Sequence, residues 1–260
     1  MTARPLILVS NDDGIEARGL LSLREALLEF ADVVTVAPRF EQSGKSHSIT
    51  LHEPLRYVDH GGGLHSIEGT PADCVYVALF REGLLPNRPD LVVSGINHGA
   101  NLGSDVFYSG TVAAAREAAL RGIPALAFSQ LEGGDMDRAA TLAARMVKTF
   151  LETKIDHPDT PLISINFPPG KPKGVRVTRL GRRVYAEGVD VRKDPRGREY
   201  FWIGGPGGVR HEEVLGSDTE AVDQGYVSLT PLHLEATHFE HLELTRAWLE
   251  NYEAERKKRR

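Results

Sequence analysis

Asn11-Asp12-Asp13-Gly14 sets two carboxylates side by side directly after a short apolar run. In a strand, neighbouring side chains point to opposite faces, whereas a tight turn of the kind Gly14 permits can bring both to one point. Carboxylates held that close force one of them to take up a proton unless a cation offsets their repulsion. A bound divalent metal is therefore one reading of Asp12 and Asp13. Turn and N-cap chemistry is the other, because Asp side chains also accept hydrogen bonds from the first turn of a following helix.

Two more polar loops follow apolar runs in the same way. Gln42-Ser43-Gly44 and Gly95-Ile96-Asn97 offer hydroxyl and amide oxygens. Combined with the acidic pair they form a hard-oxygen donor set, suited to Mg²⁺ or Mn²⁺ rather than Zn²⁺. Asn97 to Gly103, followed by Tyr108-Ser109-Gly110-Thr111, is rich in glycine and short polar side chains just before a helix. Backbone N–H groups there, with the Ser109 and Thr111 hydroxyls, can cradle phosphate without a lysine. Capping that helix is the plainer role for either hydroxyl. Asn11, Gly44 and Asn101 complete the expected phosphate contacts. No Walker pattern is present, and carboxylates stand where a dinucleotide fold needs glycine amides, so a P-loop and a nicotinamide oxidoreductase are both set aside.

His47 and His98 lie in the converging loops and are candidate acids for a leaving oxygen, although a loop histidine commonly bonds a backbone carbonyl or faces solvent. Tyr108 reads as packing its loop onto the core in preference to stacking on a base. Asp73 reads as a helix-start cap. Tyr200 and Trp202, alternating about Phe201, suit strand packing at a subunit contact.

These groups need elements to position them. Leu6 to Val9, Val33 to Ala37, Leu91 to Ser94, Pro124 to Phe128 and Leu162 to Phe167 read as buried strands. Between them, Leu20, Leu23 and Leu27 share one helical face, and Gly110 to Leu120 and Arg138 to Leu151 read as further helices. Right-handed crossovers make this a Rossmann-like, doubly wound, mostly parallel α/β sheet, with ligands expected at the carboxyl ends of the strands. The catalytic core is expected over 1–175. Residues 176–260 then form extended hairpins, a returning strand and a C-terminal helix, an arm within the same domain.

With 31 basic and 36 acidic residues the formal charge is −5, which argues against a stable nucleic-acid complex. One cysteine, Cys74, excludes an internal disulfide. The absence of a long apolar segment or a targeting pattern makes a cytoplasmic protein the expectation.

Taken together the motifs are familiar. Ile7 to Ile15, Val36-Ala37-Pro38 with Gln42-Ser43-Gly44 and His47-Ser48-Ile49-Thr50, Gly69 to Val75, Ser94 to Asn97, Gly99, Asn101-Leu102-Gly103, Tyr108 through Ala118, and Gly225 to Leu232 together carry a specific pattern. The sequence resembles the stationary-phase survival protein SurE family, metal-dependent 5′- and 3′-nucleotidases related to acid phosphatases, nearly end to end. The resemblance implies that Asp12, Asp13, Ser43 and Asn97 ligate one divalent ion, and that Ser109, Gly110 and Thr111 contact phosphate. It also implies an arm, around Arg182 to Trp202 with the tail helix, that exchanges between subunits of a homodimer or homotetramer. His98 and the short insert at Gly61-Gly62-Gly63 depart from the family pattern.

The expected reaction is hydrolysis of nucleoside monophosphates by a water held on the cation, with Asp12 or Asp13 orienting or deprotonating it. A nucleotide-binding regulatory module without turnover is the alternative.

Overall fold

Apolar runs separated by amphipathic stretches fold as the alternation requires. The computed structural model describes residues 4–153, 159–186, 188–204 and 208–258. In chain order the first part comprises β1 (Leu6–Ser10), α1 (Arg18–Leu28), β2 (Asp32–Pro38), β3 (Tyr57–Gly61), β4 (Leu64–Ile67), α2 (Pro71–Phe80) and β5 (Leu91–His98). A 3₁₀ turn at Gly103–Phe107 leads to α3 (Gly110–Leu120), β6 (Ala125–Gln130), α4 (Met136–Glu152) and β7 (Leu162–Phe167). The remainder comprises β8 (Val175–Val177), β9 (Arg182–Val184), β10 (Val189–Lys193), β11 (Glu199–Ile203), β12 (Arg210–Glu212), α5 (Asp218–Asp223), β13 (Val227–Pro231) and α6 (Leu242–Lys258).

Among the described residues the main sheet runs β3-β4-β2-β1-β5-β6-β7-β13-β8. It is parallel except where β3 meets β4 and where β13 meets β7. Successive side chains of a strand face opposite layers, and the two cores follow that alternation. Ile7, Val9, Leu91 and Val93 pack with Leu20, Leu23 and Leu27 of α1 and with Ala140, Ala143 and Val147 of α4. Leu8 and Val92 face the other way, onto Val75 and Ala78 of α2 and Val112, Ala115 and Ala118 of α3. Truncating any one of the three fully buried leucines of α1 to alanine costs about 2–5 kcal/mol.

From β1 the chain crosses to β2 on one side, while from β5 it crosses to β6 on the other. The crevice between β1 and β5 is therefore the switch point, and Asp12, Asp13 and Asn97 lie at its carboxyl edge.

The late segments divide. β8 and β13 join the main sheet, so the strand returning at Gly225 to Leu232 is observed. The alternating stretch from Val175 to Leu180 is in the sheet only as far as Val177. β9 pairs with β12, and β10 with β11, as separate antiparallel ribbons. Phe201, Trp202 and Ile203 on β11 are exposed, and α6 has no buried residue. No helix among the described residues is long and apolar enough to cross a membrane.

Candidate active site

β1 ends in the buried crevice, and the turn after it is stitched to the exit of β2. Ile15 N–H donates to Pro38 O at 2.8 Å and Gln42 N–H to Asp12 O at 2.7 Å. Asp12 is consequently 4% exposed, with its carboxylate against the first turn of α3. Thr111 Oγ1 donates to Asp12 Oδ1. The approach needs a bare backbone at Gly110, where a Cβ would lie 2.7 Å from Asp12 Cβ. Burial pushes the Asp12 carboxyl up to about 6, the Thr111 hydroxyl opposes this, and the charge on Asp13 adds to it. Asp13 is also raised by burial, against a hydrogen bond from the His98 backbone N–H to its Oδ2 at 3.0 Å.

A cavity of about 380 Å³ opens at this edge of the sheet, walled by Asp12, Ser43, Gly44, Asn97, Asn101 and Ser109. A larger cleft of about 870 Å³ adjoins it, sharing Ser43 and His98 and walled by Asp13, Glu41, Arg18 and Asp137. Most of the residues singled out in the sequence thus converge. Ser109 caps α3, its Oγ accepting the Val112 N–H at 3.1 Å, and remains on the cavity wall. Asn101 is fixed by Asn166 and donates through Nδ2 to Ser129 Oγ at 2.8 Å.

Two of the expected phosphate contacts, Thr111 and Asn11, have side chains engaged elsewhere. Thr111 is fully buried and its hydroxyl serves Asp12, so its side chain is not on the cavity wall. Gly110, buried at the first position of α3, offers its backbone alone. Asn11 is buried under the turn, donates to Gly14 O at 2.9 Å and holds the turn instead of lining the cavity. His47 is not a cavity residue either: its Nε2 meets Glu117 Oε2 at 2.9 Å, tying its loop to α3. His98 does line both cavities. Tyr108 departs from the expected inward packing, being 68% exposed on the cavity rim. The backbone beside it is bound by Ser46, which donates N–H to Tyr108 O at 3.0 Å and Oγ to Phe107 O at 2.5 Å. Asp73 does cap α2, in a reciprocal box with Thr70. Glu41, Asp105 and Tyr185 were not singled out by sequence; only their place in the fold brings them here.

Among the described residues no group of three or more His, Cys, Asp or Glu side chains converges as a metal cluster. A cation here would rest on Asp12 and Asp13, completed by neutral oxygens. The donors present fit that role. Asn97 directs its amide nitrogen to Gly99 O at 2.9 Å, which turns Oδ1 away from that bond, and Ser43 Oγ and Asn97 share the cavity wall with Asp12. Two crowded carboxylates with burial raising both are what a hard cation relieves.

A doubly wound α/β sheet with an acidic, hydroxyl- and amide-lined cavity at its switch point and a capped helix aimed into it defines an anion-handling protein of the Rossmann-like class. The family model described as Survival protein SurE matches residues 7–187, and the chain belongs to the SurE family. It is 52% identical to the 5′-nucleotidase SurE of Sorangium cellulosum (strain So ce56) over 92% of this chain and 93% of that one. It is 44% identical to the 5′-nucleotidase SurE of Syntrophotalea carbinolica (strain DSM 2380 / NBRC 103641 / GraBd1), covering 95% and 98% respectively. The crystal structure of the SurE protein from Aquifex aeolicus superposes with a TM-score of 0.80 at 38% identity, covering 95% of this chain and all of that one.

Proposed function

We propose that the chain hydrolyses nucleoside 5′-monophosphates to nucleoside and phosphate, with 3′-monophosphates as further substrates. The observation that carries this reading is the placement of Asp12 and Ser109 on one cavity wall at the switch point, in a chain closely similar to two proteins named 5′-nucleotidase SurE. When bound, Mg²⁺ or Mn²⁺ supplies positive charge against the transferring phosphoryl group and makes water a better nucleophile near neutral pH. Asp12, Asp13, Ser43 and Asn97 would hold it.

The chain's own groups do the rest. The start of α3 directs its positive end and Ser109 toward phosphoryl oxygens, where charge gathers in a loose transition state. Asn101, its backbone fixed by Asn166, lines the same wall. Greater openness than Asp12 and a position beside Ser43 support Asp13 as the group that orients the attacking water. A position on the walls of both cavities supports His98 as the group that meets the leaving oxygen, and Tyr108, exposed on the rim, offers a ring for the base. The exposed α6 and β11 fit a homodimer or homotetramer, and the undisulfided, buried Cys74 fits the reducing cytoplasm. The acidic surroundings of the larger cleft disfavour a stable nucleic-acid complex.

The test is phosphate release from a panel of nucleoside monophosphates and an aryl phosphate with Mg²⁺ or Mn²⁺, run beside Asp13→Asn. Release by the wild type and a loss of about 100-fold or more in the variant are expected. No release with any metal, or tight nucleotide binding without turnover, would replace this reading with a sensor.

A further inference from the structure

Residues 100–109 form one wall of the cavity and deliver Ser109 to the start of α3, and their anchors come from far along the chain. Arg183 Nη1 donates to Asp105 Oδ2 at 2.5 Å and to Ala100 O at 3.3 Å. The Tyr185 hydroxyl donates to the other oxygen, Asp105 Oδ1, at 2.8 Å. Both carboxylate oxygens of Asp105 are therefore held by residues of β9 and the chain just beyond it. The main-chain oxygen of Asp105 in turn accepts the N–H groups of Tyr108 and Ser109, each at 2.9 Å. A continuous path of hydrogen bonds thus runs from β9, through Asp105, to the residue that caps α3.

The two segments are built to lie this close. Asp218, buried at the first position of α5, accepts Gly103 N–H at 2.9 Å and Gly181 N–H at 2.7 Å and so bridges them. A Cβ at Gly103 would stand 2.6 Å from Gly181 O, and one at Gly181 would stand 2.2 Å from Thr219 Oγ1. Pairing with β12, which sets Arg183 opposite His211, fixes the register of β9. The Arg183 guanidinium lies 5.4 Å from the Tyr185 ring centre, so the two donors stiffen each other.

We propose that Arg183 and Tyr185 are positioning residues, which act through Asp105 to hold Ser109 and the first turn of α3 in register with the phosphoryl group. The proposal rests on the phosphatase reading for its kinetic consequence, but the latch itself is a property of the protein alone. Tyr185 suits the part: burial first, and then its bond to Asp105, push its phenol up to about 12, so it stays a proton donor throughout the working range. Arginine suits its part because one Nη1, held in a planar guanidinium, reaches a carboxylate and a carbonyl together, which the freely rotating ammonium of lysine does with less order.

The full-length protein tests this in two arms. In substrate-free protein, amide exchange at Tyr108 and Ser109 should quicken about tenfold or more in Arg183→Met, less in Tyr185→Phe, and not in the strands β1 and β5. In the kinetic arm, kcat should fall about tenfold for both a nucleoside monophosphate and an aryl phosphate, KM should stay within about threefold, and Arg183→Lys should recover part of the loss. Tyr185→Phe removes one hydroxyl at a half-exposed position, so it reports even where Arg183→Met folds poorly. Unchanged exchange at Tyr108 and Ser109, exchange quickened equally across the sheet, or a KM rise confined to the nucleotide would overturn the proposal. A wild type that releases no phosphate would sink the phosphatase reading and leave the exchange arm to decide the latch.

Discussion

Thr111 carries a hydroxyl at the second position of a glycine-led helix, and the fold turns it toward Asp12 and away from the cavity. That choice governs how Asp12 titrates. Because its carboxyl rises from 3.8 to about 6 on folding, the folded chain keeps a proton between those values that the unfolded chain has released. Stability of the metal-free protein therefore falls as pH rises across that window, by roughly 3 kcal/mol in all. Asn at this position still accepts the Thr111 bond without the charge. Metal-free Asp12→Asn should accordingly gain roughly 2–3 kcal/mol on wild type at pH 8 and almost nothing at pH 3.5. Mn²⁺ should raise the melting temperature of wild type only, while activity is lost in the variant. Thermal melts in chelator and in Mn²⁺ across that pH range decide it; a variant less stable than wild type at pH 8 would contradict the burial argument.

At the scale of elements, the loop carrying Ser43 is more constrained than its polarity suggests. His47 binds Glu117 of α3, Thr50 places its N–H and hydroxyl on Asp73 at 2.9 and 2.6 Å, and Thr70 Oγ1 donates to Ser48 O at 2.7 Å. Glu117 is 3% exposed and also pairs with Arg121 at 2.8 Å, so Glu117→Ala breaks two bonds of a buried carboxylate at once. It should cost about 3 kcal/mol in urea denaturation and raise KM by freeing Ser43. Native stability in that variant would show the loop to be held by its remaining anchors at Asp73, Thr70 and the Tyr108 backbone. The strands and helices that carry Asp12, Asn97 and Ser109 were legible because each has a strong period and a sharp boundary. Leu20, Leu23 and Leu27 announced α1, and Pro38 closed β2. The β3–β4 hairpin was not, since its short polar strands flank three glycines, nor was α5, only six residues long. That Asp12, Ser43 and Asn97 share a cavity was legible from residue type and strand position, but Asp105 and Tyr185 were not. Nothing local marks them, and they meet only because β9 folds back over a chain 80 residues earlier. Tyr108 was misread for a related reason: nothing local distinguishes a ring packed on the core from one exposed on a cavity rim.

For the whole molecule, α6 contributes nothing to the core, while the last strand of the sheet, β13, ends at Pro231. Exposed on it are Leu242, Leu244, Trp248, Leu249 and Tyr252. Removing 238–260 should leave the melting temperature within about 3 °C at low protein concentration. Sedimentation should then report a smaller particle than the intact chain, and an unchanged mass would assign assembly to β10 and β11 alone.

The anchors of the cavity wall lie far downstream: Arg183 follows Asp105 by 78 residues, and Asp218 follows Gly103 by 115. Contacts of such separation form only after the intervening chain exists. During synthesis the ribosome delivers the acidic pair first, the cap of α3 next, and the residues that fasten the wall only after β7. A nascent chain stalled after β7 would display Asp12 and Asp13 beside an unfastened loop. The wall of the site can thus be fastened only once β9 and α5 have been made, long after the residues it serves.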